Sequence, residues 1–314
     1  MDNVNPLISI IVRTKDRPQL LKTALRSIAQ QTYRPIEVVL VNDGGCALDI
    51  EGLKSILADV SLNYISLEHN TGRAHAGNVG IDSANGAYIG FLDDDDEYHP
   101  EHIETLVTSL RQGDHRIAYT AVEFIEKTFQ DDELRSTNEK KFVFSSDFSY
   151  DDLIISNFIP LMALLFPARL LKSLKFDESF DLYEDWDMLI RAGEKTRFHF
   201  IDKITASYYQ WSNSQIAFAS PQELIRKETI KLYEKHRDKI PLNLIFDMRE
   251  ENTRKNKAIQ EKDEYIVDLE ARIEDPERAL KEKIPYIQTI HSRGGWRLLS
   301  QYYKIRDRIL RLIH

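Results

Sequence analysis

Short apolar runs alternate with helical patterns along the first hundred residues. Four of these runs have the length of strands: residues 7–12, 36–41, 62–67 and 87–92. The first is rich in β-branched residues, which is typical of a strand buried on both faces. Helical patterns separate them, after Pro18 and over residues 53–57 and 74–84. Strands that alternate with helices indicate right-handed βαβ units, so we predict an α/β fold built on a mostly parallel sheet.

The pattern changes twice further along the chain. Residues 101–220 are mixed, with strands predicted at 117–124, 161–166 and 198–209 and a short helix at 167–174. Beyond Pro221 the chain becomes highly charged, and residues 247–283 predict a solvent-exposed helix. We therefore expect three parts, at residues 1–100, 101–220 and 221–314.

A seven-residue repeat of apolar side chains runs along the charged helix. Its members are Ile259, Ile266, Ile273 and Leu280. This spacing is typical of a short coiled coil, a means of forming a homo-oligomer. Lys262 interrupts the seam, and Pro276 is expected to kink or end the helix.

The last segment, residues 293–314, mixes apolar and aromatic residues with arginines and lysine, although the whole chain is acidic. A basic amphipathic helix of this kind is suited to an anionic membrane surface. The alternative is a terminal helix that packs on the protein body or on a second subunit.

Composition narrows the class of protein. A formal net charge of −9 argues against a nucleic-acid binder, which needs cations to neutralise phosphates. The single cysteine, Cys46, excludes an intramolecular disulfide framework. No secretory signal and no apolar run of membrane-spanning length is visible. We expect a cytoplasmic protein that associates peripherally with the inner face of the cell membrane.

Polar residues follow three of the predicted strands. They are residues 13–16, residues 42–43, and the four consecutive aspartates at 93–96. Open α/β sheets bind ligands beyond the carboxyl ends of their strands. Adjacent carboxylates repel one another unless a cation is present, and Mg²⁺ and Mn²⁺ prefer carboxylate oxygens. The aspartates therefore predict a divalent-metal site, the alternative being a solvated acidic turn that caps the next helix.

A second acidic group, Glu184, Asp185 and Asp187, precedes a helical pattern at residues 188–192. Acidic side chains stabilise the positive end of a helix dipole, which gives these residues a purely structural interpretation. The alternative is a catalytic carboxylate.

Five segments in order resemble the inverting family-2 glycosyltransferases of bacterial cell-surface polysaccharide type, which have the GT-A fold. They are residues 9–17 (SIIVRTKDR), 38–44 (VVLVNDG), 70–81 (NTGRAHAGNVGI), 87–100 (AYIGFLDDDDEYHP) and 184–189 (EDWDML). The resemblance covers about residues 6–215. It implies that residues 1–100 form a nucleotide-sugar-binding half and residues 101–220 an acceptor-binding half, followed by a helical and coiled-coil extension.

The resemblance also implies roles for single residues. Asp43 would accept a hydrogen bond from a uracil or thymine N–H, which favours a UDP- or dTDP-sugar donor. The remaining donor-site residues would be Arg13, Thr14, Gly72, Asn78, Asp93 and Asp94, and Asp94 stands where relatives more often have a small residue. Asp95 would bind Mn²⁺ or Mg²⁺.

Asp185 matches the general base, which takes the proton of an acceptor hydroxyl on a glycan or lipid-linked glycan. Two departures from the family pattern affect the site. Gly77 stands where many relatives carry Arg, so Arg73 and the metal would have to offset the diphosphate charge. Gln210 and Trp211 replace a frequent Arg or His, so a histidine metal ligand is not expected there.

Three other functions compete with glycosyl transfer. An inactive glycosyltransferase-like scaffold would act through the coiled coil and basic tail, but it would not need both acidic groups. A sugar-1-phosphate nucleotidyltransferase needs a glycine-rich loop after the first strand, where residues 13–17 contain no glycine. A glycoside hydrolase also uses two carboxylates, but it does not explain the nucleotide-binding pattern.

Overall fold

The computed structural model describes residues 5–112, 117–128, 141–212, 221–240, 243, 246 and 249–267. The chain forms two compact units, residues 1–241 and residues 242–314. The division expected from sequence, at residues 100 and 220, remains a prediction.

The first part of unit one alternates strands and helices. In chain order these are β1 (Ile8–Thr14), α1 (Pro18–Ala29), β2 (Ile36–Asn42), α2 (Ile50–Leu57), β3 (Ser61–Ser66), α3 (Arg73–Ser83) and β4 (Tyr88–Asp93). Each agrees with the sequence prediction to within a few residues, because the periodicity of apolar residues and the turn residues between the elements indicate the same boundaries here.

The second part of unit one is irregular. Its elements are β5 (Glu97–Tyr98), α4 (His102–Gln112), β6 (Ile117–Thr128), β7 (Lys141–Phe144), α5 (Tyr150–Ile155), β8 (Leu164–Pro167), α6 (Ala168–Leu174), α7 (Glu184–Gly193), β9 (Phe198–Ser212) and α8 (Gln222–Lys235). The predicted strand at 161–166 begins instead with a 3₁₀ turn, Leu161–Ala163.

The described strands form one mixed sheet in the order β3-β2-β1-β4-β8-β6-β9-β5, with β7 paired to β6. Strands β1 to β4 are parallel, and β8 runs antiparallel between β4 and β6. The register places Arg13 beside Asp93 and Thr14 beside Asn42. The polar strand ends predicted from sequence therefore meet at one edge of the sheet.

The core explains why β1 and β2 lack an alternating pattern. All seven residues of each strand are buried, because helices cover both faces of the sheet. Aromatic residues fill the space on either side of β4, where Phe91 contacts Phe166 and Phe176 edge-on. This packing holds the carboxyl ends of the strands in place beneath the polar edge.

In unit two the described part is helical, up to residue 267. Ile259 and Ile266 of the predicted coiled-coil seam are 57% and 50% exposed. Ile273, Leu280 and the basic segment 293–314 lie outside the described residues. Within the described chain, no helix has both the length and the apolar character that crossing a bilayer requires.

Candidate active site

A cleft of about 360 Å³ opens where β1 and β4 end. Its floor is charged and consists of Arg13, Arg73, Asp93, Asp96, Glu184 and Asp185. Its wall is aromatic and apolar, and includes Phe91, Phe124, Phe144, Pro160, Leu161, Met162 and Tyr208. Two amide side chains, Asn157 and Gln210, also line it. Both acidic groups seen in the sequence thus contribute to one cavity.

Arg13 joins the two acidic groups across the floor of the cleft. Its Nη2 lies 2.7 Å from Asp93 Oδ1, and its Nη1 lies 3.4 Å from Glu184 Oε1. The Arg13 side chain is 8% exposed, so these ion pairs lie in a medium that screens charge poorly. Burial alone would raise the pKa of Asp93, but Arg13 outweighs burial and the pKa falls below its usual value.

Glu184 is the other buried partner in this network. Its second oxygen, Oε2, lies 3.1 Å from Nη2 of Arg73. Glu184 thus links a buried arginine to one whose side chain is 57% exposed to the cleft. An exposed guanidinium of this kind keeps donors available for an anionic ligand.

Arg17 pairs with the next two aspartates. Its Nη2 lies 2.8 Å from Asp94 Oδ1 and its Nη1 lies 2.7 Å from Asp95 Oδ2. Thr14 donates a hydrogen bond of 2.6 Å to the other Asp94 oxygen. Asp94 is completely buried, and burial raises its pKa to about 7. Asp95 keeps 21% of its side chain exposed.

Asp96 closes the turn after β4. Its backbone N–H donates to Asp93 O, and its Oδ1 accepts a hydrogen bond from Tyr209 N at 2.9 Å. Burial and the neighbouring Asp95 and Asp93 carboxylates hold the pKa of Asp96 well above its usual value. Asp96 thereby ties the acidic turn to β9 on the far side of the cleft.

Asp185 lies in the first turn of α7 and faces the cleft. Its Oδ2 accepts a hydrogen bond of 3.2 Å from Asn157 Nδ2, and its Oδ1 accepts one from the Trp186 backbone. Burial and the adjacent Glu184 carboxylate raise the pKa of Asp185 to about 6. A carboxylate with a pKa near 6 is a better proton acceptor than an ordinary aspartate and is still ionised at neutral pH.

The family model of glycosyl transferase family 2 matches residues 9–169, which is half of the chain. This chain belongs to glycosyl transferase family 2. The match covers β1 to β8 and ends before Asp185, so it includes the whole acidic turn of the cleft and only part of its wall.

Relatives with curated descriptions are also glycosyltransferases. The enzyme is 30% identical over 193 residues to an uncharacterized glycosyltransferase, YwdF of Bacillus subtilis, covering 60% of this chain and 69% of YwdF. It is 28% identical over 204 residues to the amylovoran biosynthesis glycosyltransferase AmsB of Erwinia amylovora, covering 62% of this chain and 65% of AmsB. Against several other relatives the match spans only about a third to three fifths of their length.

Solved structures share the fold. S. aureus TarS in complex with UDP-GlcNAc superposes with a TM-score of 0.56 at 18% identity, covering 76% of this chain and 71% of TarS. The mannosyltransferase PcManGT from Pyrobaculum calidifontis, in complex with GDP-Man and Mn²⁺, gives a TM-score of 0.53 at 15% identity, covering 74% and 64%. The expected GT-A fold of this glycosyltransferase is therefore confirmed.

Asp43, the expected nucleobase partner, organises a loop in this structure. Its Oδ1 accepts hydrogen bonds from Thr71 N and Thr71 Oγ1, at 2.7 and 2.9 Å, and its Oδ2 accepts one from Gly72 N at 3.0 Å. Gly72 has φ +92°, which a residue with a side chain rarely adopts. Asp43 and Gly72 therefore shape the entry to α3, outside the residues that line the cleft.

Asn78 contacts a neighbouring loop. Its amide oxygen accepts from Phe176 N, and its Nδ2 donates to Phe176 O and to Glu178 Oε1. Phe176 also explains the departure at Gly77, because a Cβ placed there would lie 2.6 Å from Phe176 Cε2. An arginine at position 77 is thus incompatible with this packing.

Only three of the expected site residues line the cleft: Arg13, Asp93 and Asp185. Asp95 precedes the lining residue Asp96 and pairs with Arg17, and Thr14 and Asp94 pair with each other. The donor-site and metal-site roles of these residues, and of Asp43, Gly72 and Asn78, remain predictions.

Sequence reasoning missed several residues of the site, chiefly Arg17, Asn157 and Tyr208. Arg17 lies inside a motif that was recognised, residues 9–17, so its position was a usable signal. Asn157 lies between α5 and the 3₁₀ turn, and Tyr208 lies on the predicted strand that forms β9, and neither carried a sequence signal that pointed to the cleft. Asp187, by contrast, is buried and binds Arg191, Lys235 and His236, which supports the structural interpretation for that residue.

Among the described residues, no three His, Cys, Asp or Glu side chains converge as a metal-binding group. His75 contacts Glu178, His99 contacts Ser207, and His102 contacts Thr205. These histidines have packing and surface partners, and none of them lines the cleft.

Proposed function

We propose that this glycosyltransferase moves a sugar from a nucleoside-diphosphate sugar to a hydroxyl of a glycan or lipid-linked glycan, with inversion at the anomeric carbon. One observation carries the proposal. A single cleft holds the aspartate turn at the end of β4 and Asp185 on α7, and Arg13 pairs with carboxylates of both groups. Donor and proton acceptor would then lie within one cavity.

The donor is expected to enter along the sheet edge formed by Arg13, Thr14 and Asp43. The carboxylate of Asp43 favours a uracil or thymine N–H, hence UDP or dTDP, although its oxygens also bind the 71–72 loop. Structural neighbours have been solved with UDP-GlcNAc and with GDP-Man. These two ligands support a nucleotide-sugar as the class of donor, and the nucleobase is a matter for binding measurements.

A divalent ion, Mn²⁺ or Mg²⁺, fits the carboxylates at this edge. Asp93 and Asp95 offer hard oxygen ligands and keep 40% and 21% of their side chains exposed. Asp95 would hold the ion, which would act as a Lewis acid on the departing diphosphate. PcManGT, a neighbour in fold, has been solved with Mn²⁺.

In the proposed reaction, Asp185 accepts the proton of the acceptor hydroxyl as the oxygen attacks the anomeric carbon. The new C–O bond forms on the face opposite the diphosphate. The bond between the anomeric carbon and the diphosphate oxygen breaks, and the diphosphate leaves with the electron pair. Asp185 then returns its proton to solvent. Asn157 orients the carboxylate through its hydrogen bond to Oδ2.

Arg73 supplies the positive charge that Gly77 cannot. Arg13 and Arg17 already pair with carboxylates on both sides, whereas Arg73 has one carboxylate partner and a 57% exposed side chain. Its charge also lies close enough to Asp93 and Asp185 to favour the ionised form of both, although burial and Glu184 still raise the pKa of Asp185. We therefore assign the donor diphosphate to Arg73 in addition to the metal.

We expect Arg73→Gln to weaken binding of UDP, or of whichever nucleoside diphosphate the enzyme prefers, by about tenfold to a hundredfold, since one charge-assisted hydrogen bond contributes roughly 1.5–3 kcal/mol. Isothermal titration with the diphosphate and with the bare nucleoside checks this. Nucleoside binding should not change, and Arg73→Lys should restore part of the loss. Arg26→Gln, on the exposed face of α1, is the matched control. Equal losses for nucleoside and diphosphate would contradict the assignment.

A polysaccharide pathway at the cell membrane suits the acceptor class, and AmsB is described by its role in amylovoran biosynthesis. The basic segment 293–314 would hold the enzyme at the anionic inner face of the membrane, and the coiled coil would pair two copies.

Removing residues 293–314 should abolish co-sedimentation of the protein with vesicles that contain phosphatidylglycerol and leave its behaviour with neutral vesicles unchanged. Unchanged co-sedimentation would contradict the membrane role.

A thermal-shift screen of nucleotide-sugars, with and without Mn²⁺, tests the proposed function. Ligands that bind only the folded state raise the melting temperature according to their concentration relative to Kd. One donor class should stabilise the protein, and Mn²⁺ should increase its effect. If no nucleotide-sugar shifts the transition, the chain is an inactive scaffold and the proposal fails.

A further inference from the structure

A row of aromatic side chains crosses three neighbouring strands beside the cleft. In the sheet register Phe124 of β6 pairs with Phe142 of β7 on one side and with Tyr208 of β9 on the other. Phe144 pairs with Val122, one step along the same face. Because side chains alternate between the two faces of a strand, these aromatics share one face and Val143 lies on the other.

The rings contact one another and form a continuous surface. Phe124 stacks on Phe142 with ring centroids 4.3 Å apart and on Tyr208 at 5.7 Å, with interplanar angles of 20° and 27°. Phe144 meets Phe142 edge-on at 5.0 Å. Phe142 is nevertheless 51% exposed and Tyr208 37% exposed. Large exposed aromatic faces in contact with one another mark a binding surface.

This surface is continuous with the proposed reaction centre. Phe124, Phe144 and Tyr208 line the same cleft as Asp185, and Phe142 extends the row outward from there. Asn157 and Gln210 add amide groups at the cleft end of the row. A flat apolar face with a few amides beside it is complementary to a sugar ring, which has an apolar C–H face and hydroxyls around its edge.

The charged groups beside the aromatic row limit the classes of ligand that this surface accepts. The four aromatic residues are uncharged, and the cleft floor beside them carries four carboxyl groups, those of Asp93, Asp96, Glu184 and Asp185. The two guanidinium groups on the floor, those of Arg13 and Arg73, are already paired with Asp93 and Glu184. Because carboxyl groups outnumber guanidinium groups on this floor, a neutral ring is favoured over a negatively charged one beside the aromatic row. A long alkyl chain would use the aromatic faces but not the amides.

We propose that Phe124, Phe142, Phe144 and Tyr208 form an acceptor subsite that binds a neutral pyranose ring, and that this ring presents its hydroxyl to Asp185. The inference rests on the proposed function and names the acceptor chemistry for the same cleft. Phe142 carries the outer part of the subsite, so acceptor recognition extends beyond the residues that touch the reacting atoms.

Saturation-transfer NMR on the full chain tests the subsite with defined probes. These are the methyl β-glycosides of glucose, galactose and N-acetylglucosamine, methyl β-glucuronide as the anionic ring, and octyl β-glucoside as the alkyl-chain probe. At least one neutral methyl glycoside should bind, with its C–H face receiving the strongest transfer. Phe142→Ala should raise its Kd about threefold to tenfold, since an aromatic contact of this kind contributes roughly 0.5–1.5 kcal/mol.

Three controls decide between the outcomes. Phe142→Tyr keeps the ring and should retain affinity, and Val143→Ala, next in the strand but on the opposite face, should have no effect. UDP binding, measured in the same samples, should be unchanged in all three variants. If UDP binds but no neutral methyl glycoside does, or only the octyl glycoside or the glucuronide does, the subsite is refuted while the proposed function stands. If neither UDP nor any nucleotide-sugar binds, the proposed function itself fails.

Discussion

Asp185→Asn should reduce sugar transfer by about 10²–10⁴-fold, which is the usual contribution of a general base. Asparagine has nearly the same shape, and its amide oxygen can still accept the hydrogen bond that Asn157 donates to Oδ2. Donor affinity should change by less than about threefold, because Asp185 acts on the acceptor proton rather than on the diphosphate. Release of nucleoside diphosphate, followed with a lipid-linked glycan extract as acceptor, measures the rate.

The pH profile offers an independent check on the same residue. The base works only when it is ionised, and the pKa of Asp185 is raised to about 6 by burial and by Glu184. Transfer by the wild type should therefore fall as the pH drops through 6 and level off above it. Glu184→Gln removes the neighbouring negative charge, so the midpoint of the profile should move to lower pH. A wild-type profile that stays flat between pH 5 and 8 would remove Asp185 as the base.

Asp95→Ala should abolish the increase in donor affinity that Mn²⁺ produces and lower transfer by about 10²–10³-fold, since the metal ion that Asp95 is proposed to hold would stabilise the charge on the leaving diphosphate. The protein should fold as well as the wild type. The Asp95 side chain is partly exposed, and burial together with the Asp93 carboxylate raises its pKa, so its charge is not favoured in this turn. Titration of the donor with and without Mn²⁺ measures the coupling between ion and nucleotide.

Asp94→Asn is the matched control for this prediction. Asp94 is completely buried and accepts a hydrogen bond from Thr14, so its replacement should alter the melting temperature more than the response to Mn²⁺. If Asp94→Asn abolishes the metal response while Asp95→Ala retains it, the two adjacent aspartates have been assigned the wrong way round.

The parallel half of the sheet was predictable because its signals are local. Each strand from β1 to β4 is a short apolar run with a polar residue at its end, and parallel strands bring those ends to one edge. The four aspartates therefore appeared in the correct place without any structure. The partners of those aspartates were less accessible to sequence reasoning, since Arg17 lies 78 positions away from Asp95.

The rest of the site depends on contacts between distant segments. Arg13 and Glu184 are 171 positions apart, and no periodicity in either segment indicates that they meet. The aromatic row depends on the register of β6 with β7 and with β9. The sequence between β6 and β7 has no pattern that indicates this register. Likewise, the sequence does not explain why position 77 is a glycine, whereas the structure shows Phe176 packed against it.

The contacts of Asp187 have a practical consequence for anyone who shortens this protein. Asp187 lies two positions after Asp185 in α7, and its buried carboxylate accepts hydrogen bonds or ion pairs from Lys235 and His236 at the end of α8. A fragment that stopped before α8 would leave that carboxylate in the interior with Arg191 as its remaining cation. A shortened protein that keeps α7 in place must therefore extend through His236.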